Sequence, residues 1–207
     1  MGRQALDSTQ PITWAHTLVI GSGAAGLNAA VQLRTGGVKD VLVVTEGLDM
    51  GTSINTGSDK QTYYKLSMYG AEADSPLAMA QSYFAGGSMH GDLALVEAAV
   101  SPRAFAHLVD LGVPFPTDEY GQFVGYKTDH DPLQRATSIG PYTSQAMCHA
   151  LIHRLQELTI EVRQGRNVVQ LLIVGEGEKK RAAGAIAVDA DGNLEAYGAE
   201  NVVFAVG

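Results

Sequence analysis

The stretch that most constrains this chain is Gly21-Ser22-Gly23-Ala24-Ala25-Gly26. The apolar run Thr17-Leu18-Val19-Ile20 leads into it, and Leu27-Asn28-Ala29-Ala30-Val31-Gln32-Leu33-Arg34 follows at helical spacing. A strand that turns at once into a helix through three glycines has few folds open to it. The G-x-G-x-x-G spacing suits the phosphate turn of a dinucleotide-binding βαβ unit. Gly21 lets the chain turn sharply. Gly23 has no Cβ, so a pyrophosphate can approach the backbone. Gly26 lets the helix pack closely on the strand. Free N–H groups and the positive end of the helix dipole then face the phosphates.

A second apolar strand, Val41-Leu42-Val43-Val44-Thr45, ends in Glu46, about 20 residues past the last glycine as the fingerprint requires. A carboxylate at that strand tip accepts hydrogen bonds from both hydroxyls of an adenosine ribose. It repels a 2′-phosphate, so an NADP-type ligand is disfavoured.

Composition narrows the function further. The 207 residues are 45% hydrophobic and 17% charged, ordinary values for a globular chain. The formal net charge of -8 argues against nucleic acid or an anionic membrane as partner. No apolar run reaches the roughly 20 residues of a membrane span. The single cysteine, Cys148, excludes an intramolecular disulfide and is compatible with a cytoplasmic location. It is expected to be a small core residue; a reactive thiol is the alternative.

Three segments are expected: 1–58 as the first βαβ unit, 59–142 as a mostly helical insertion, and 143–207 as a helix and strands returning to the first domain. Within the insertion, Tyr63, Tyr64, Leu66 and Met68 could line one helical face. Ser75-Pro76 opens a helix that stops at Gly86-Gly87. Asp92 caps a longer one, which Ser101-Pro102 is expected to break before it ends at Gly112. Met50 to Ser58 reads as a loop, and Gly121 to Pro132 as irregular. A helix is expected over Thr143 to Leu158. Strands follow over Val168 to Val174, Ala183 to Val188 and Asn201 to Ala205, with a further strand region around Leu194-Tyr197. Glu176 to Arg181 is an exposed hairpin tip.

With these residues laid out, the chain resembles the succinate dehydrogenase/fumarate reductase flavoprotein family, which includes L-aspartate oxidase. The resemblance rests on Val19 to Gly26 with Glu46, on Leu111-Gly112-Val113-Pro114-Phe115, on His149-Ala150-Leu151, and on Asn201-Val202-Val203-Phe204-Ala205-Val206-Gly207. It implies an α/β fold: a Rossmann-like FAD-binding domain, with a parallel sheet, a helical insertion and additional strands. It implies FAD in an extended pose. Gly21, Ser22, Gly23, Ala24, Ala25 and Gly26 would hold the pyrophosphate. Glu46, with Gly47 beside it, would hold the adenosine ribose, and backbone near Val168 would meet the adenine. Ala205 and Gly207 would lie on the pyrophosphate side. The loop carrying Thr52, Ser53, Thr56, Gly57 and Ser58 would run beside the ribityl chain and ring. Covalent members use a histidine in the loop after the second strand; Gly51 to Lys60 has none, so the FAD is expected to be noncovalent. The family's substrate-binding arginines and histidine match no residue here, and the chain is expected to be a fragment lacking the capping domain, or a shortened member.

Candidate chemistry inside the chain is limited. Asp129, His130 and Asp131, with Arg135 just after, could serve proton transfer; the alternative is a polar turn in which Asp129 or Asp131 caps a following helix. Lys60 could stabilise a reduced flavin or bind a carboxylate, or be a solvated loop lysine. No metal site is expected: one histidine with two aspartates gives too few ligands, and His149 and His153, one helical turn apart, have no third. The expected function is therefore an FAD-dependent oxidoreductase passing hydride between flavin N5 and a small substrate, with an electron-transfer partner allowed. A flavin-binding module without catalysis and an NAD-dependent dehydrogenase are the alternatives.

Overall fold

The computed structural model describes residues 11–58, 61–129 and 131–207. Along the chain run β1 (Ile12–Ile20), α1 (Ala24–Thr35), β2 (Val41–Val44) and the short α2 (Thr52–Asn55). Next come β3 (Tyr63–Tyr64), α3 (Pro76–Ala85), α4 (Gly91–Asp110), β4 (Tyr126–Thr128), β5 (Asp131–Thr137) and α5 (Thr143–Glu157). The chain finishes with β6 (Glu161–Arg163), β7 (Asn167–Val174), β8 (Arg181–Val188) and β9 (Leu194–Phe204). Two compact units result, Met1–Asn55 with Leu151–Gly207, and Thr56–Ala150.

The first unit is built on a six-stranded sheet of order β6-β2-β1-β9-β8-β7. β6, β2, β1 and β9 are parallel; β7 and β8 continue the sheet antiparallel from β9. All four residues of β2 are buried, as are the last four of β1. That continuous apolar burial is the mark of a parallel strand covered on both faces. The expected α/β, Rossmann-like fold is what forms.

β9 corrects one expectation. The two runs read separately around Leu194-Tyr197 and Asn201-Ala205 are a single strand that stops at Phe204. It pairs with β1 along Ala196–Phe204 and with β8 along Leu194–Gly198, so one strand joins the parallel and antiparallel parts of the sheet. β6 lies outside every run read as strand. It sits at the sheet edge, where exposed Glu161 and Arg163 pair with each other at 2.6 Å instead of showing an apolar pattern. The stretch from Met50 to Ser58 also carries a helical turn, α2, that reads as loop.

The second unit has its own core. Met79, Ala80, Ala94 and Ala98 form one cluster, where α3 packs on α4; Phe105, Leu108, Val113 and Phe115 form another. Three expectations change here. Tyr63 and Tyr64 lie on a strand paired with Thr137 and Ala136, so they do not line a helix. The supposedly irregular stretch from Gly121 contains β4, the hairpin partner of β5. α4 is continuous from Gly91 to Asp110, with Pro102 inside it and His90 rather than Asp92 at its cap position. Proline at 102 removes the amide that would bond the Ala98 carbonyl; the Ser101 hydroxyl donates to that carbonyl instead, at 2.9 Å. The Ser-Pro pair thus repairs the break it threatens.

Candidate functional site

A cleft of about 420 Å³ opens at the carboxyl ends of β1, β2 and β9. Ligands bind at this end of an open parallel sheet because strand termini and helix N-termini converge there. Ile20, Val44 and Phe204, the last residues of the three strands, all line it.

The glycine turn forms the cleft floor, and its three glycines answer different needs. Gly21 has φ +101, and a Cβ on it would lie 2.2 Å from the Ala205 carbonyl oxygen. A Cβ on Gly26 would lie 2.1 Å from the Gly21 carbonyl oxygen. Protein packing alone therefore demands glycine at both. Gly23 is different: the nearest atom to a Cβ there is the Ser53 hydroxyl, at an ordinary 3.5 Å. No protein atom excludes a side chain at 23, but a side chain would stand in the cleft. A site that keeps glycine where the protein leaves room suits close approach of a ligand to the backbone.

The helix end beside it fits an anion. α1 has Gly23 at its cap position, no side-chain cap there and no acidic residue in its first turn. The Ala24 amide meets the Ser53 hydroxyl at 3.3 Å. Amides at a helix N-terminus attract phosphate through their N–H groups and the helix dipole. Ser22 is buried and works as a tie. Its hydroxyl donates to the Gly47 carbonyl at 2.9 Å and lies 2.7 Å from the Thr45 hydroxyl, locking the turn to the end of β2. That brings exposed Glu46 to the cleft wall.

Of the residues expected to meet a cofactor, Gly21, Ser22, Gly23, Glu46, Gly47, Thr52, Ser53, Val168, Ala205 and Gly207 line this one cleft. Ala24, Ala25 and Gly26 start α1 immediately behind it. Thr56, Gly57 and Ser58 fall in the other unit, where the Ser58 amide donates to the Pro141 carbonyl at 3.1 Å.

Arg166 and Asn167 also line the cleft, and sequence reasoning did not single them out. The Arg166 side chain donates to both oxygens of Glu195, at 3.0 and 2.8 Å. Tyr197, buried beneath, donates to the same carboxylate. Hydrogen bonds from Arg166 hold the Glu195 carboxyl below its ordinary range, and those to Glu195 raise the Arg166 guanidinium. Burial, then the bond to Glu195, pushes the Tyr197 phenol up to about 12.

The charged stretch after β4 is built differently. Lys60 and His130 lie outside the described residues. Asp129 is exposed in the turn between β4 and β5, so no helix follows for it or Asp131 to cap. Asp131 and Arg135 are buried and bonded to each other at 2.7 Å. Arg135 also forks onto Asp74, at 2.8 and 2.6 Å, and donates to the Ser82 hydroxyl at 2.8 Å. Among the described residues, no group of three or more His, Cys, Asp or Glu is placed to hold a metal ion. Nor is any described helix long and apolar enough to cross a membrane.

The comparison that decides the family is with the FAD binding domain model, which matches residues 16–207. The chain belongs to that family. No curated protein sequence matches it. Among solved structures, it is similar to the Mycobacterium smegmatis Sdh1 complex in the apo form (TM-score 0.82, 22% identity, 94% of this chain and 34% of that one). It is similar to an E. coli quinol fumarate reductase FrdA variant (TM-score 0.78, 20% identity, 96% and 33%). It is also similar to the 3-ketosteroid-Δ4-(5α)-dehydrogenase of Rhodococcus jostii in complex with 4-androstene-3,17-dione (TM-score 0.76, 21% identity, 99% and 48%). The expected resemblance to succinate dehydrogenase and fumarate reductase flavoproteins therefore holds as a shared fold. This FAD binding domain spans between a third and a half of the length of those structures.

Proposed function

We propose that the chain holds FAD noncovalently along the cleft and serves an oxidoreductase that passes hydride between flavin N5 and a small organic substrate, such as a carboxylate. The observation that carries this reading is the open face of Gly23, at a helix N-terminus whose cap residue has no side chain, with Glu46 on the same cleft wall. The Ser22 and Gly23 amides bind the diphosphate, since the Gly21 amide donates to the Val44 carbonyl and the Ala24 amide to the Ser53 hydroxyl. Glu46 accepts the adenosine ribose hydroxyls, and Val168 and Asn167 wall the adenine end. Bound FAD supplies the redox chemistry, and the protein contributes placement and electrostatics. Noncovalent attachment is supported by the absence of histidine from residues 51–60. An electron-transfer partner fits a fold shared with a quinol fumarate reductase. A cytoplasmic setting fits the single, buried, unpaired Cys148.

The absorption spectrum of the purified protein tests the reading. A flavin spectrum, with the chromophore released into the supernatant by acid precipitation, is expected. A colourless protein that binds NAD overturns it, and flavin retained in the pellet overturns noncovalent attachment.

A second reading, a flavin-binding module without turnover, is favoured by the mutual pairing of Asp131 and Arg135, which leaves those two candidates for proton transfer occupied. Fumarate added to the reduced protein separates the two. Reoxidation supports the oxidoreductase; flavin binding without response supports the module.

A further inference from the structure

Two residues of opposite sign, Glu46 and Arg166, line the adenosine end of the cleft. Glu46 follows β2, and Arg166 follows β6. The Gly165 amide donates to the Glu46 carbonyl at 2.9 Å, and the Arg166 amide donates to the Thr45 carbonyl at 3.1 Å. The two residues thus stand on adjacent, bridged segments of one wall. At this place in a dinucleotide fold, a carboxylate favours a ribose 2′-hydroxyl, and a nearby arginine accommodates a 2′-phosphate. This cleft has both. Its preference turns on whether the arginine is available.

The arginine is occupied. Its Nε and Nη2 donate to Glu195 at 3.0 and 2.8 Å, and its Nη1 donates to the Gln164 carbonyl at 2.7 Å. Glu195 is in turn held by the hydroxyl of buried Tyr197. A two-pronged carboxylate fork is the strongest way to engage a guanidinium, and it uses the same geometry a phosphate would use. With the fork closed, an arriving 2′-phosphate meets a neutralised cation and the Glu46 carboxylate.

We propose that Glu195 is a positioning residue that sets nucleotide specificity: by engaging Arg166 it keeps the cleft selective for adenosine with a free 2′-hydroxyl, as in FAD, and against 2′-phosphorylated adenosine, as in NADP. The Arg166–Glu195–Tyr197 chain is then a device for excluding a competitor that carries the same adenosine diphosphate core. This assignment rests on the FAD reading of the cleft.

The test is a ratio of affinities on the purified chain, with ADP and 2′-phospho-ADP as probes measured by calorimetry. The wild type binds ADP more tightly. Glu195→Ala shifts the ratio toward 2′-phospho-ADP by about tenfold, the scale of one charge-assisted fork gained. Glu195→Gln and Tyr197→Phe shift it the same way by less, and they carry the test if Glu195→Ala does not fold. Adding Arg166→Ala to Glu195→Ala returns the ratio to at least the wild-type preference. A general loss of structure weakens both probes together and leaves the ratio alone. An unchanged ratio in the Glu195 variants, with both probes binding, overturns the proposal and spares the FAD reading. A wild type that binds neither ADP nor FAD overturns the FAD reading itself.

Discussion

The glycine cleft of the first unit and the Arg135 cluster of the second are both dense in polar groups, yet they do opposite things. Around Arg135 the polar groups are side chains, and they satisfy one another. Arg135 is 1% exposed, with Asp74, Asp131, Ser82 and Tyr64 all within hydrogen-bond distance. At the glycine turn of the cleft the polar groups are backbone amides, and the residues that could have covered them are glycines. Gly23 has a side-chain hydroxyl at only van der Waals distance from where its Cβ would be. Ionisable residues crowded in sequence build a support; residues with no side chain build a receptor. Function follows the groups left facing open space.

The largest effect should come from breaking the support. Arg135→Ala leaves two carboxylates buried without their cation. Loss of one partner from a buried ion pair costs about 3–5 kcal/mol, so the variant should lose most of the unit's stability in urea melts. A loss below about 1 kcal/mol, the worth of an exposed pair, would mean that water reaches the cluster. Acid gives a second reading. Burial pushes the Asp74 carboxyl up, but hydrogen bonds from Arg135 and from the Ser67 and Ser75 amides outweigh that and hold it below its ordinary value. A depressed folded-state pKa stabilises the fold above about pH 4, and that stability is lost as pH falls through the folded value. Arg135→Ala should flatten this acid limb.

The glycines sharpen the same contrast within the cleft. Gly26→Ala drives a methyl against the Gly21 carbonyl, and overpacking against rigid backbone costs about 2 kcal/mol or more. Gly23→Ala meets no such obstacle. It should cost no more than about 1 kcal/mol, the loss of a favoured residue at a helix cap position. Its main effect should appear in binding, with FAD affinity falling about tenfold because the methyl occupies the pyrophosphate's approach. Thermal melts of both variants, paired with FAD titrations, check this. Equal FAD binding by Gly23→Ala and wild type would remove the cleft's claim to the diphosphate.

Legibility followed the range of the determining contact. β1, α1 and β2 were readable because each carries a local apolar pattern, a continuous run in the strands and helical spacing in α1, with glycines punctuating the turns between them. The floor of the cleft was readable for the same reason: Gly21, Ser22, Gly23 and Glu46 stand at fixed spacing along one βαβ unit. β3 has two residues and no period to read, so only its pairing with β5 makes it a strand. Pro102 obeys a local rule that Ser101 overrides through a hydrogen bond the composition does not announce. Arg166, before β7, meets Glu195 and Tyr197 on β9; the first two are 29 positions apart, and no local signal marks them. Asp131 and Arg135 looked chemical because the partner that helps occupy the arginine, Asp74, lies 61 residues upstream of it.

The smallest expected effect tests whether the second unit's core tolerates a charge that nothing fully compensates. Lys65 is fully buried, with its ammonium 4.7 Å from the centre of the Phe105 ring and donating to the Leu66 carbonyl at 3.5 Å. A cation over an aromatic face recovers on the order of 2 kcal/mol when desolvated, less than the several kcal/mol a buried ammonium loses on leaving water. Burial accordingly lowers the Lys65 pKa. The sign follows directly. Between the folded value and the unfolded value of about 10.4, the unfolded chain holds more protons, so stability should rise with pH through that window. Lys65→Met keeps the stem's volume and removes the charge. It should stabilise the unit by about 1 kcal/mol near neutral pH and abolish that alkaline rise. Urea melts of both proteins at pH 7 and pH 10 decide it. Destabilisation by Lys65→Met at both values would show that the ammonium earns its place through Phe105 and that this core, unlike the Arg135 cluster, holds a charge without a counter-ion.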